Sequence, residues 1–211
     1  MKYRIAALCL ALVIGIPGIG RAEENVRFPP LSPEQLTPEQ KAWADSITAP
    51  PRNAKFTNAP YRAYIRNPDL APRLTAMTDY LRWKTSLPPR LSEFAILITA
   101  RQWTAQYEWF AHAPIAEKAG VSPKTIENLR LGRPPKSAEK DERAIYEFIQ
   151  ELYKTRRVSE RTYKKTHSLL GDQATVELVG ILGYYVLISM TLNVFRMLPP
   201  DNEKLAFAEP K

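Results

Sequence analysis

Apolar residues recur every three or four positions along most of the chain, which is the spacing of one face of an α-helix. Two such stripes are Leu70, Leu74, Met77 and Leu81, and Ile145, Phe148, Ile149 and Leu152. No stretch alternates apolar and polar residues for long enough to predict a β-strand. The pattern therefore predicts an all-α helical bundle of about seven to eight helices.

Capping residues, prolines and glycines mark where the predicted helices begin and end. Thr37-Pro38-Glu39-Gln40 is a capping box with proline at the first helical position. The other predicted starts are Asn67-Pro68-Asp69, Pro88-Pro89, Thr104, Ser122-Pro123, Ser137, Ser159 and Asp172. The predicted ends are Gly120, Gly132, Gly171 and Pro199-Pro200. The stretch AQYEWFAHAP, residues 105–114, is therefore expected on one helix.

The last predicted helix contains an uncharged run, LVGILGYYVLISMTLNVF, over residues 178–195. A run of this length is compatible with a membrane span. Its glycines, its polar residues Ser189, Thr191 and Asn193, and its central tyrosines instead favour a helix in a protein core. One small domain cannot readily cover a helix that is apolar on all sides. The run therefore also predicts a subunit interface, and hence a homo-oligomer.

The first 22 residues have the composition of a secretory signal peptide. Lys2 and Arg4 precede an apolar run over residues 5–16, and Gly20-Arg21-Ala22 supplies small residues before a cleavage point. The alternative is a membrane anchor, but the run is shorter than the ~20 residues that a spanning helix needs. We therefore expect cleavage near Ala22, a periplasmic or secreted protein, and no stable membrane insertion afterwards.

The amino-acid composition excludes some reaction types and some binding partners for the mature chain. Cleavage would remove Cys9, the only cysteine, so thiol peroxidase and disulfide-exchange chemistry would be excluded. The formal net charge is +8 at pH 7. No run of Lys and Arg is interleaved with aromatic residues that could stack on bases, so nucleic acid is not an expected partner.

The rest of the chain divides into three predicted parts. Residues 23–58 are rich in proline and are expected to form an arm, either a lid or an extension onto a neighbouring subunit. Residues 59–200 carry the helical pattern of one domain, and residues 201–211 form a C-terminal tail.

Candidate chemistry centres on Glu108 and His112, which lie one helical turn apart among aromatic residues. Such a pair can be a surface ion pair, or the histidine can be a buried residue satisfied by a neighbour. It can also be an acid/base pair, because histidine is the side chain best matched to proton transfer near neutral pH. The second histidine, His167, is flanked by lysines and is expected on the surface.

Two segments resemble the signature segments of the carboxymuconolactone decarboxylase family, which includes the alkyl hydroperoxidase D type. They are LPPRLSEFAILITARQWTAQYEWFAHAPIAEKAGVS and ATVELVGILGYYVLISMTLNVF, and the resemblance covers roughly residues 60–200. In the redox members a glutamate precedes a Cys-x-x-Cys-x-x-x-His element. Glu93 takes the glutamate position and His112 the histidine position, whereas Ala105 and Glu108 replace the two cysteines.

The resemblance implies a cofactor-independent lyase, a decarboxylase, or an isomerase that transfers protons on a small carboxylated or lactone substrate. The implied catalytic residues are Glu93, Glu108 and His112, in a trimer or a multiple of three. Arg101 could hold a substrate carboxylate and Tyr107 could donate to a carbonyl, with Trp109 beside them. Alternatively, Arg101 is a structural or exposed arginine and the two aromatic residues belong to the core.

Two other functions remain open from the sequence. The scaffold could bind a small hydrophobic molecule without catalysis, which would need a pocket but no convergence of the three catalytic groups. Peroxidase activity is implied by the family name alone, and the missing cysteines argue against it. The chain has no glycine loop for phosphate and no histidine cluster for a metal, so we expect neither a cofactor nor a metal.

Overall fold

The computed structural model describes residues 27–200 and 203–208, and this part of the chain contains α-helices but no β-strand. The helices are α1 Pro38–Thr48, α2 Tyr61–Tyr64, α3 Ala71–Trp83, α4 Pro89–Gln102, α5 Gln106–Lys118, α6 Pro123–Arg130, α7 Lys140–Thr155 and α8 Glu160–Val194. A short 3-10 helix, Pro33–Gln35, precedes them. The predicted all-α class is confirmed. The predicted signal peptide and residues 201–202 and 209–211 of the predicted tail lie outside the described residues.

Helix α4 is the centre of the bundle. Every residue from Leu91 to Ala100 is buried, because α5, α7 and α8 pack around this helix. The helix begins at the predicted Pro88-Pro89 pair, whose rigid backbone suits the first turn. Glu93 is therefore presented inside the core rather than on the surface.

Helix α8 breaks at Gly171, where φ is 75° and ψ is −178°. Ser159 caps its first half as predicted, and its side chain accepts a hydrogen bond from the backbone N–H of Thr162. The second half is long and apolar enough to cross a membrane by composition, but 56% of that apolar window is buried inside the fold. The packing thus favours the predicted core helix, with one face of it left exposed.

The N-terminal segment packs on its own chain. The capping box of Thr37 and Gln40 forms as predicted, and Trp43 and Ile47 of α1 are buried in the core. The indole N–H of Trp43 donates to the hydroxyl of Thr75 on α3 at 3.4 Å. Residues 27–58 therefore pack, in part, against the helices of their own chain, and their role as a lid or subunit arm stays a prediction.

The predicted apolar stripe of α3 does not face the core as a whole. Leu81 is buried, but Leu70 and Met77 are 47% and 45% exposed. Thr75 and Thr78 face the core instead, since their hydroxyls donate to backbone carbonyls one turn earlier and leave no unpaired donor.

A tight turn joins α4 to α5, and it differs from the predicted cap at Thr104. Thr104 adopts a left-handed conformation with φ of 50°, and Ala105 is the N-cap of α5. The N–H of Ala105 bonds the carbonyl of Ala100 and the N–H of Thr104 bonds that of Arg101, which is a Schellman motif. Thr104 thus ends α4 instead of capping α5, and the turn folds α5 back onto α4.

Candidate active site

His112 lies between two carboxylates. Its Nδ1 is 2.6 Å from Oε2 of Glu93, and its Nε2 is 3.0 Å from Oε1 of Glu108. Glu93, Glu108 and His112 are only 6%, 3% and 5% exposed. The three residues therefore form one buried, hydrogen-bonded cluster.

The α4–α5 pairing creates this cluster. Glu108 and His112 are one turn apart on α5, so both side chains point from the same face of that helix. The left-handed turn at Thr104 lays this face against α4, where Glu93 meets the ring of His112. The spacing along α5 thus brings Glu108 to His112, and the turn between the helices brings Glu93 to His112.

Two further side chains complete the cluster from other helices. The guanidinium of Arg82, at the end of α3, lies 3.6 Å from Oε1 of Glu93. The ring of Tyr185, from the middle of α8, meets the ring of His112 edge-on, with 5.2 Å between centroids. Tyr185 is completely enclosed, and burial raises the pKa of its phenol well above the usual value. Tyr185 therefore stays a neutral wall of the site.

His112 is an imidazolium at neutral pH. Burial alone would lower its pKa, but the carboxylates of Glu93 and Glu108 outweigh burial and raise it to about 9. As an imidazolium, His112 donates from Nδ1 to Glu93 and from Nε2 to Glu108. Together with Arg82, the cluster holds two positive and two negative charges.

Two further tyrosine side chains interact with Glu108. Tyr64 is buried, and its hydroxyl interacts electrostatically with Tyr184 and Glu108. Tyr107, half-buried at the start of α5, interacts electrostatically with Glu108. These phenols are neutral donors that can bind an oxygen of a small molecule.

The predicted substrate residues separate into two groups. Tyr107 lies beside the cluster, as described. Arg101 and Trp109 instead contact Phe207 of the C-terminal segment: the guanidinium of Arg101 lies 4.9 Å from the ring centroid of Phe207, and Trp109 meets that ring edge-on at 5.2 Å. Arg101 also donates from Nε to the carbonyl of Arg130. The contacts of Arg101 and Trp109 are therefore structural.

Sequence reasoning missed Arg82, Tyr64 and Tyr185. The sequence did mark Tyr185, since a tyrosine in the middle of an uncharged helix suggests a specific contact for its polar group. The sequence did not mark Arg82 and Tyr64, because α2 and α3 carry no motif and approach the cluster only through tertiary packing. In the described part of the chain, no group of three or more His, Asp, Glu or Cys side chains is arranged to hold a metal ion.

Solved structures share this architecture. A peroxidase-related protein with an alkylhydroperoxidase AhpD core, from Ralstonia eutropha JMP134, superimposes with a TM-score of 0.70 at 18% identity, over 84% of this chain and 93% of that chain. A peroxidase-related protein from Silicibacter sp. TM1040 gives 0.69 at 16% identity, over 87% and 96% of the two chains. The chain has the alkylhydroperoxidase AhpD fold. No protein-family model and no curated protein sequence matches it.

A further structure with the AhpD fold is a putative antioxidant defence protein AhpD from Agrobacterium tumefaciens, with a TM-score of 0.58 at 15% identity, over 64% of this chain and 93% of that one. The resemblance to the carboxymuconolactone decarboxylase family is thus confirmed at the level of the fold. No cysteine occurs within residues 27–200 or 203–208, where Ala105 and Glu108 stand at the cysteine positions.

Proposed function

We propose that the protein is a cofactor-independent lyase or isomerase that transfers a proton through Glu93, His112 and Glu108. The observation that carries the proposal is the hydrogen bonding of both ring nitrogens of His112 to buried carboxylates. An ordinary structural histidine needs one hydrogen-bond partner on each ring nitrogen, and its ring can stay neutral. Here an imidazolium is held in the core next to tyrosine donors, which is the arrangement expected of a stored, transferable proton.

The two carboxylates have different roles in this proposal. Glu93 is held by both Arg82 and His112, so it fixes the orientation of the ring. Glu108 also interacts electrostatically with the phenols of Tyr64 and Tyr107. Glu108 is therefore the group that meets the substrate, and His112 supplies or receives the proton behind it.

Decarboxylation at this site is balanced as follows. The bond between the substrate carbon and its departing carboxylate breaks, carbon dioxide leaves, and the electron pair stays on carbon, delocalised into a conjugated carbonyl. Glu108 takes the Nε2 proton of His112 and delivers it to that carbon, and His112 then regains a proton from the solvent. For isomerisation, Glu108 first removes a proton from one carbon and returns it to another. Positioned proton transfer of this kind contributes about 10²–10⁴-fold to a rate.

Enclosure strengthens the electrostatics of the cluster. The residues are nearly inaccessible to water, and charges interact more strongly where the effective dielectric constant is low. The second candidate function is binding of a small molecule without turnover. The same enclosure favours it, since a substrate must first displace side chains such as Tyr107 to reach the cluster.

The test is deuterium incorporation measured by proton NMR. The mature protein is incubated in D₂O with a panel of small β-keto acids and unsaturated carboxylates or lactones that carry a conjugated carbonyl. We expect deuterium at the protonated carbon, at least about 10²-fold slower in His112→Gln and unchanged in the matched control His167→Gln. Binding without deuterium incorporation in the wild-type protein would favour the non-catalytic candidate.

We also propose export and assembly into a trimer or a multiple of three. Export is supported by the signal-like composition of residues 1–22. Assembly is supported by the apolar stripe that α8 leaves exposed, namely Val176, Val179, Met190 and Val194. These side chains share one face of α8, and an exposed apolar face suits packing against another helix.

A further inference from the structure

Arg62, on the short helix α2, has an unusual environment for an arginine. Its side chain is partly enclosed, and its Nε is buried without a hydrogen-bond partner. No ion pair joins it to any described residue. Burial lowers the pKa of its guanidinium, because no carboxylate compensates for the lost water. Leaving a charged donor buried and unpaired is costly, so a partner outside the described chain is expected.

Arg62 is connected to the catalytic cluster through Tyr107. The phenol of Tyr107 interacts electrostatically with Arg62 on one side and with Glu108 on the other. Tyr64, from the same short helix as Arg62, also interacts electrostatically with Glu108. The guanidinium of Arg62 and the phenol of Tyr107 thus lie in the electrostatic neighbourhood of Glu108.

The charges of this region are unbalanced by one. Glu93 and Glu108 are offset by His112 and Arg82, which leaves the guanidinium of Arg62 as an uncompensated positive charge. A single anion bound there would neutralise the site. Among small anions, a carboxylate matches the planar fork of a guanidinium and can accept a second hydrogen bond from a phenol.

We propose that Arg62 and Tyr107 form a binding subsite for one carboxylate of the substrate, beside Glu108. The assignment of a substrate rests on the proposed function, whereas the assignment of an anion subsite rests on the contacts of Arg62 alone. Arg62 replaces Arg101, the arginine that the sequence suggested for this role.

The positive charge of the subsite determines whether it binds the departing carboxylate of the substrate or one that is retained. A cation that binds the departing carboxylate would stabilise the ground state and oppose the loss of carbon dioxide. The carboxylate on Arg62 is therefore one that stays on the substrate. Decarboxylation would need a dicarboxylate, whereas isomerisation would need only a monocarboxylate, and neutral lactones are excluded as good substrates.

The experiment compares benzoate with its neutral analogue benzamide by isothermal titration calorimetry at pH 7. The wild-type protein is expected to bind benzoate at least about tenfold more tightly than benzamide. Arg62→Gln should lose about tenfold or more in benzoate affinity, and Arg62→Lys should keep part of it. Arg133→Gln, which changes an exposed arginine in the loop after α6, should match the wild type. Tyr107→Phe should weaken benzoate binding severalfold and tests the subsite without changing charge.

Three results would overturn the subsite. They are wild-type binding of neither probe, equal benzoate affinity in Arg62→Gln and the wild type, and equal losses in Arg62→Gln and Arg133→Gln. The readouts also separate this inference from the proposed function. Benzoate binding that depends on Arg62, in a protein that incorporates no deuterium, would leave the subsite standing and reject the reaction. Deuterium incorporation that is unaffected by Arg62→Gln would support the reaction and reject the subsite.

Discussion

Nδ1 of His112 and Oε2 of Glu93 are 2.6 Å apart, although the two residues lie on different helices. This contact, with Glu108 on the other ring nitrogen, raises the pKa of His112 to about 9 and so keeps the buried ring protonated at neutral pH. Removing either carboxylate leaves an uncompensated positive charge in the core, which costs more than the loss of an ordinary hydrogen bond.

The stability of the protein should fall as the pH rises from neutral. The pKa of His112 is raised from 6.5 to about 9 by folding, so its contribution is fully present below pH 6.5 and is lost as the pH rises through 9. We expect a loss on the order of 2–3 kcal/mol across this window. Urea unfolding at a series of pH values measures it, and the decline should be absent in His112→Gln. An equal decline in both proteins would contradict the assignment.

Glu177 should have the opposite pH dependence. Although burial raises its pKa, hydrogen bonds from Ser86, Tyr80 and Gln173 outweigh burial and lower it to about 2. Its contribution is therefore present above pH 4.5 and is lost as the pH falls towards 2. Glu177→Gln should destabilise the protein by about 1–3 kcal/mol at pH 7 and by much less near pH 2.

The matched control for Glu177 is Glu160→Gln, which removes an exposed carboxylate paired with Lys164 on the same helix. This change should cost about 0.5 kcal/mol or less at any pH. Equal effects of the two substitutions in thermal or urea unfolding would show that the buried hydrogen bonds of Glu177 contribute no more than a surface pair.

The C-terminal segment should act as a structural element. Phe207 is buried against Trp109 and Arg101, and its backbone exchanges hydrogen bonds with the side chain of Gln106. Phe207→Ala should lower the free energy of unfolding by about 2–4 kcal/mol. Arg101→Gln should lower it by less and leave benzoate affinity unchanged. A selective loss of benzoate affinity in Arg101→Gln would restore the role that the sequence suggested.

The exposed stripe of α8 should be a subunit interface. Val179→Asp places a charge in the stripe and should convert the oligomer to smaller species, as measured by light scattering at micromolar concentration. Leu131→Asp, an equally polar change at an exposed residue after α6, should leave the assembly intact. A wild-type protein that is a stable monomer would reject the interface.

The fold was largely readable from the sequence because helix ends carry local signals. Ser122, Ser159, Gly120 and Gly171 stand where the structure begins, ends or breaks its helices. The predicted N-cap at Thr104 was wrong. A β-branched residue rarely adopts a left-handed conformation, but the packing of α4 against α5 overrides that preference here.

The candidate site was only partly readable. The spacing of Glu108 and His112 predicted their contact, and the family resemblance suggested Glu93. Arg62, Arg82 and Tyr64 carried no local signal, since only long-range packing brings α2 and α3 to α5. The contact of Arg101 with Phe207 was not readable for a related reason, because Phe207 is distant in the sequence.

The protonation state of His112 tests the account most directly. The chain has only two histidines, so ¹⁵N-labelled imidazole NMR gives one pair of ring-nitrogen signals for each, and His167→Gln identifies the pair of His112. The account predicts that His112 is doubly protonated at pH 7.5, titrates near 9, and shifts to a lower pKa in Glu108→Gln and in Glu93→Gln. A His112 signal that titrates at or below pH 6.5 in the folded wild-type protein would contradict the central claim.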